Sequence, residues 1–126
     1  MEARIQPTHR HTVLVVDDDG PVRQLFAEGL RPMGIDVHAV GSGEEALDVV
    51  AADPDVCVVL ADIHMPRMEG WDLERQLRRA HPDLPVVLLT ADRLLAIRGG
   101  PVRDKPLDPA EVAALVRSRC PHTRRS

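Results

Sequence analysis

Three consecutive carboxylates, Asp17-Asp18-Asp19, stand directly after an apolar run that ends at Val16. Asp62 follows a later apolar run, Thr90 closes another, and Asp104-Lys105-Pro106 follows a short last one. Acidic groups, a hydroxyl and an ammonium in this order suit phosphoryl transfer to a carboxylate. An oxygen-rich anionic cluster favours Mg²⁺ (or Mn²⁺), a cation that uses one or two protein carboxylates and keeps several waters. Carboxylates gathered in one place repel each other, and a cation relieves that repulsion. With the cation neutralising an incoming phosphate, Asp62 is the candidate nucleophile. Lys105 would offset charge on the phosphoryl oxygens, and Thr90 would hydrogen-bond one of them.

Those groups need a frame that brings them together. Five short apolar runs read as strands: Thr12–Val16, Ile35–Val40, Val56–Ala61, Pro85–Thr90 and Pro101–Arg103. Several are continuous Val/Leu stretches, as in parallel strands covered on both faces. Helical patterns lie between them. Val22, Leu25, Phe26 and Gly29 fall at helical spacing behind Pro21, a residue suited to a first helical turn. Ser42 and Glu45 form a capping box ahead of Ala46, Leu47 and Val50. Leu73 and Leu77 mark a third helix, ended by His81-Pro82. Asp108-Pro109-Ala110-Glu111 opens a last one, with Val112, Leu115 and Val116 as its apolar face.

Strands alternating with helices predict a doubly wound α/β sheet, parallel and five-stranded, with helices on both faces. Ligands of such sheets bind beyond the carboxyl ends of the strands. The acids, Thr90 and Lys105 therefore all fall on one rim.

The bulk of the chain narrows the function classes. Its 126 residues suffice for one domain with a proper core. Apolar residues make up 44% and charged residues 29%, which is ordinary for a water-facing globular chain. The 16 Lys and Arg against 20 Asp and Glu leave a net charge of −4, the wrong balance for a nucleic-acid binder. Phe26 and Trp71 are the only aromatics, so bases would find almost nothing to stack on. Arg117, Arg119, Arg124 and Arg125 gather near the C-terminus, where a solvated tail is the default reading. Cys57 lies in a strand-like run far from Cys120, which predicts no disulfide and a reducing cytoplasm. No apolar run has the length of a membrane span. Residues 1–11 read as a flexible lead-in, 12–120 as the folded domain and 121–126 as a flexible tail.

VLVVDDD at 13–19, ADIHMPRMEGWDL at 61–73, VVLLTA at 86–91 and DKPLD at 104–108 resemble receiver domains of two-component response regulators. The resemblance covers residues 12–118, and its most specific part is Asp62-x-x-Met65-Pro66-x-Met68-x-Gly70. It implies the flavodoxin-like receiver fold, with Asp62 as phosphoacceptor. It implies Asp18 as a direct Mg²⁺ ligand, Asp17 acting mainly through water, and the main-chain carbonyl of His64 as a further ligand. Thr90 then corresponds to the switch hydroxyl and Lys105 to the lysine that pairs with the phosphoryl group. Asp19 is left over, as a helix cap or a solvated acid. A histidine kinase or histidine phosphotransferase is the implied partner. The resemblance makes the chain a signalling phosphoacceptor rather than an enzyme acting on other molecules, monomeric or weakly dimeric.

Two departures from that family stand out. Only 15 positions separate Thr90 from Lys105, so the helix between them should be short by roughly one to two turns. The family's switch aromatic falls on Val102. Receivers with a reduced fourth helix resemble Gly99-Gly100-Pro101 and the residues after it.

Plainer or rival readings exist. His9 and His11 form an His-x-His pair, read as lead-in rather than metal ligands, and Met68 and Trp71 are read as packing or partner surface. A binding-only receiver fold that takes no phosphate is one alternative. Asp17-Asp18-Asp19-Gly20 also fits a haloacid-dehalogenase-type phosphatase, with Asp17 as nucleophile and Asp19 as acid/base. That reading lacks the later acidic pair and leaves Asp62–Gly70 without a purpose.

Overall fold

The structure, a computed structural model, describes residues 11–90, 102–104 and 109–119. Its strands are β1 (Thr12–Val16), β2 (Asp36–Val40), β3 (Val56–Asp62), β4 (Val86–Thr90) and β5 (Val102–Asp104). They form one sheet in the order β2-β1-β3-β4-β5, with every pairing parallel. The helices among the described residues are α1 (Gly20–Leu30), α2 (Gly43–Ala52), α3 (Gly70–Ala80) and α4 (Pro109–Arg119).

All five expected strands form, with shifts of one residue at their ends. Proline has no amide to give a ladder, so β4 starts after Pro85. β3 runs one residue past Ala61, which places Asp62 in the ladder opposite Leu89. β2 lies at the sheet edge, and most of it is exposed rather than buried.

The sheet buries two cores, one per face. Leu14, Val16, Val59, Ala61 and Leu88 point to one face and pack with Ala46 and Val50 of α2 and Leu73 and Leu77 of α3. Val13, Val15, Leu60, Val87 and Leu89 point to the other, against Phe26 and Leu30 of α1 and Val112 and Val116 of α4. Strict alternation sends successive side chains to opposite faces. Cys57 and Val58 nevertheless share a face, because a register irregularity at the start of the β1–β3 pairing adds one residue there.

α1 corrects one sequence expectation. Phe26, Ala27 and Leu30 are its buried residues, while Leu25 is 63% exposed. The apolar stripe is rotated by about one residue from the predicted Val22–Leu25–Phe26–Gly29 face. α1 gives way to a 3₁₀ turn, Arg31–Met33, closed by Gly34 at φ 79°, a conformation glycine adopts without a Cβ clash. α2 carries the expected cap with its return bond displaced by one residue: Glu45 N donates to Ser42 Oγ, while Glu45 Oε1 accepts from the amide of Gly41 and from the Ser42 hydroxyl. α3 ends at His81 as expected.

Lys105, the N-cap expected at Asp108, Cys120, His9 and residues 121–126 lie outside the described residues, as does nearly all of the segment expected to hold the shortened helix. His11 is described, and its carbonyl accepts from Asp36 N at 2.9 Å.

Candidate functional site

The chain runs outward from β1 to β2, then crosses back to place β3 on the other side of β1. At such a reversal the loops leaving the two neighbouring strands part, and a crevice opens above their carboxyl ends. Asp17 and Asp18 follow β1, and Asp62 is the last residue of β3. A carboxylate oxygen from each of Asp17, Asp18 and Asp62 lies within 4.8 Å of the others. Asp17 is buried, Asp62 is partly buried and Asp18 is exposed, so the three grade from floor to mouth.

Each member of the acidic run has a different surrounding. The Asp17 peptide is fixed on both sides: its N–H donates to Val40 O at 3.1 Å, and its carbonyl accepts from Arg23 Nη1 at 2.6 Å. Its side chain accepts from Asp19 N at 3.0 Å. Asp19 turns away to cap α1, accepting from Val22 N at 3.3 Å. The phosphatase reading needed Asp19 as acid/base beside Asp17. Instead its carboxylate is engaged at a helix end, outside the three-acid group.

The segment from Asp62 to Gly70 has a physical account for its motif residues. Ile63 and Met65 are buried anchors in the α2–α3 core. His64 is exposed, and its amide donates to Asp62 Oδ1 at 3.3 Å. Met68 N donates to Pro66 O at 2.7 Å around Arg67, whose φ is 68°, so the loop turns through a γ-turn. Gly70 N reaches back to Ile63 O at 2.8 Å. A Cβ on Gly70 would lie 2.5 Å from Asp62 O, so only glycine lets α3 start this close to Asp62. Met68 packs at the start of α2, where a Cβ on Gly43 would lie 2.5 Å from its sulfur. Trp71 is 39% exposed at the start of α3.

Thr90 is fully buried at the carboxyl end of β4, opposite Asp104 in the ladder. Val102 opens β5, opposite Leu88. Arg23 and Gly41 escaped the sequence reading: Arg23 holds a main-chain carbonyl six residues back, a contact that leaves no periodic trace.

Oxygen donors alone, three of them anionic and close together, form a hard set that matches Mg²⁺ better than a thiophilic metal. Among the described residues no helix is long and apolar enough to cross a membrane.

Residues 13–98 match the family described as response regulator receiver domain, which takes in more than half of the chain. Response regulator MprA of Mycolicibacterium vanbaalenii is 46% identical over 79 residues, covering 63% of this chain and 34% of that protein. Response regulator MprA of Mycobacterium avium (strain 104) is 45% identical over 80 residues, with the same coverage of 63% and 34%. The chain thus spans about a third of the length of these curated relatives. A response regulator receiver protein from Pseudomonas putida superposes with a TM-score of 0.75 at 28% identity, over 89% of this chain and 99% of that one. The signal receiver domain of an HD domain-containing protein from Pseudomonas fluorescens Pf-5 gives 0.78 at 25% identity, over 97% and 95%.

Proposed function

The chain belongs to the response regulator receiver family, and from that premise we propose that it accepts a phosphoryl group on Asp62 in a Mg²⁺-dependent reaction that switches a protein-interaction surface. The observation that carries this reading is the meeting of Asp17, Asp18 and Asp62 at the sheet's switch point. These three carboxylates, with the His64 main-chain carbonyl, are the residues that would hold the cation. Bound there, Mg²⁺ supplies positive charge against the negative oxygens of the incoming phosphoryl group.

In the proposed transfer an Asp62 carboxylate oxygen forms a bond to phosphorus. The bond from phosphorus to the donor breaks, and its electron pair leaves with the donor. That donor is a phosphohistidine on a histidine kinase or histidine phosphotransferase, or a small acyl phosphate in the test tube. Asp62 sits in the ladder opposite Leu89, so its carboxylate is presented from a rigid strand end and needs little reordering. Thr90 would donate its hydroxyl to a phosphoryl oxygen and Lys105 would pair with another, so that the phosphoryl group biases the chain toward its switched arrangement. Val102 holds no ring, so a relay from the Thr90 hydroxyl to an aromatic side chain is not open to this chain. The chain acts as a phosphoacceptor in a two-component pathway, with the cytoplasm as the fitting compartment, and hydrolysis of its own phosphate is the only turnover implied.

Intact-protein mass after incubation with acetyl phosphate and Mg²⁺ tests the reading. The wild-type chain is expected to gain one phosphoryl group, and Asp62→Asn or omission of the metal is expected to prevent it. Labelling that survives Asp62→Asn would remove Asp62 from its role. A wild-type chain that never gains mass, nor binds beryllofluoride with Mg²⁺, would instead be a binding-only receiver fold. Thr90→Ala is expected to accept the phosphoryl group and to lose the phosphorylation-dependent change in amide exchange.

A further inference from the structure

We propose that Arg23 is a positioning residue for the acidic site, a guanidinium strap that fixes the Asp17 peptide and thereby sets how tightly the three carboxylates take Mg²⁺. The inference rests on the metal reading above and assigns a role to a residue outside the acid, hydroxyl and lysine set.

Arg23 lies on the first turns of α1 and is half-buried. Its Nη1 donates to Asp17 O at 2.6 Å, so the side chain folds back toward the end of β1. The same nitrogen would lie 3.3 Å from a Cβ at Gly41, the residue after β2, and Nη2 would lie 3.5 Å from one at Gly20. The guanidinium thus sits close against Gly41, where a Cβ would be tight, and beside Gly20 at the start of α1, where a Cβ would make ordinary contact. Gly41 is itself held, its amide donating to Glu45 Oε1 at 3.1 Å. Arg23 thus bonds the β1–α1 turn and lies close against the β2–α2 turn.

This matters for the metal because Asp17 and Asp18 are adjacent on one turn. A rotation of the Asp17–Asp18 peptide would swing both carboxylates at once. The sheet restrains one side of Asp17 through Val40 O, and Arg23 restrains the other. Removing a group that orients metal-binding residues from behind typically costs about 10- to 100-fold in metal affinity. A positive charge placed near a cation site has the opposite tendency, since it repels the cation. The two roles therefore predict opposite signs, and the sign is measurable.

Calorimetric titration with Mg²⁺ on wild type, Arg23→Ala, Arg23→Lys, Gly41→Ala and Asp18→Asn is the test, paired with denaturation midpoints with and without Mg²⁺. Arg23→Ala is expected to weaken Mg²⁺ binding about tenfold and to shrink the Mg²⁺-dependent gain in midpoint. Arg23→Lys should recover part of both. Gly41→Ala crowds the guanidinium at 3.3 Å, meets only the Glu45 carboxylate at an ordinary 3.8 Å and none of the three clustered acids, and should move affinity in the same direction by less. A purely structural role would lower the metal-free midpoint and leave the gain unchanged, which would overturn the proposal, as would unchanged or tighter Mg²⁺ binding in Arg23→Ala. If Arg23→Ala fails to fold, Arg23→Lys and Gly41→Ala decide by the same criterion. Absence of Mg²⁺ binding in wild type and Asp18→Asn alike would sink the metal reading itself, and this inference with it.

Discussion

At the scale of single residues, three neighbouring carboxylates have three separate tasks. Asp17 is buried and fixed through its main chain, Asp18 is exposed at the mouth, and Asp19 caps α1. The sequence showed that acids gather after β1 and that Asp62 faces them. The family resemblance put Asp17 in the metal site and left Asp19 as a helix cap or solvated acid; residue type alone does not separate them, because their fates depend on where the strand ends and which peptide the helix begins on. Arg23 was illegible for a related reason: its partner is a main-chain carbonyl, and every residue has one. The division of tasks has separable consequences. Asp19→Ala removes an N-cap and is expected to cost about 1 kcal/mol of stability, read as a lower denaturation midpoint at unchanged slope. It should still take the phosphoryl group. Asp18→Asn should do the reverse, keeping or slightly raising metal-free stability by relieving repulsion, while losing Mg²⁺-dependent labelling. Equal loss of labelling in both variants would mean that Asp19 belongs to the site after all.

At the scale of elements, apolar runs and helical spacing located every described strand and α-helix, and the errors fall where packing, not pattern, decides. α1 turned its stripe by about one residue, exposing Leu25, because Ala27 is small enough to bury and lies beside Phe26 and Leu30. The glycines that open α2 and α3 look alike in the sequence yet face different neighbours. A Cβ on Gly70 would meet the backbone of Asp62 and Ile63, the nearest atom at 2.5 Å. A Cβ on Gly43 would meet Met68 at the same 2.5 Å, but there the obstacle is a flexible side chain. Gly70→Ala must therefore push α3 off the end of β3, at about 2–3 kcal/mol, and disturb the peptide that presents Asp62. Gly43→Ala should cost about 1 kcal/mol, at the low end of overpacking, as Met68 moves aside. Denaturation and acetyl phosphate labelling check both. A Gly70→Ala chain with wild-type stability and labelling would show that the close approach of α3 serves neither.

At the scale of the whole molecule, the sheet makes the site. Asp17 and Asp62 are far apart in the chain and meet only because β1 and β3 pair, with one core on each face keeping them flat against each other. Folding thus brings Asp62 up to two neighbouring acids from which the unfolded chain keeps it apart, at a cost in repulsion. A cation that binds this cluster binds the folded chain and has no matched site in the unfolded one. Stability must then rise with Mg²⁺ as mass action requires, by about 2.7 kcal/mol at a hundredfold excess over the dissociation constant. General screening of a chain with net charge −4 would also stabilise it, but NaCl at matched ionic strength would do so equally well. The specific effect is the difference between the two salts, measured as a shift in denaturation midpoint at constant slope and reversed by chelation. That difference should vanish in Asp18→Asn while the common screening effect survives. If Mg²⁺ and NaCl stabilise wild type alike, the carboxylates sit together without forming a metal site.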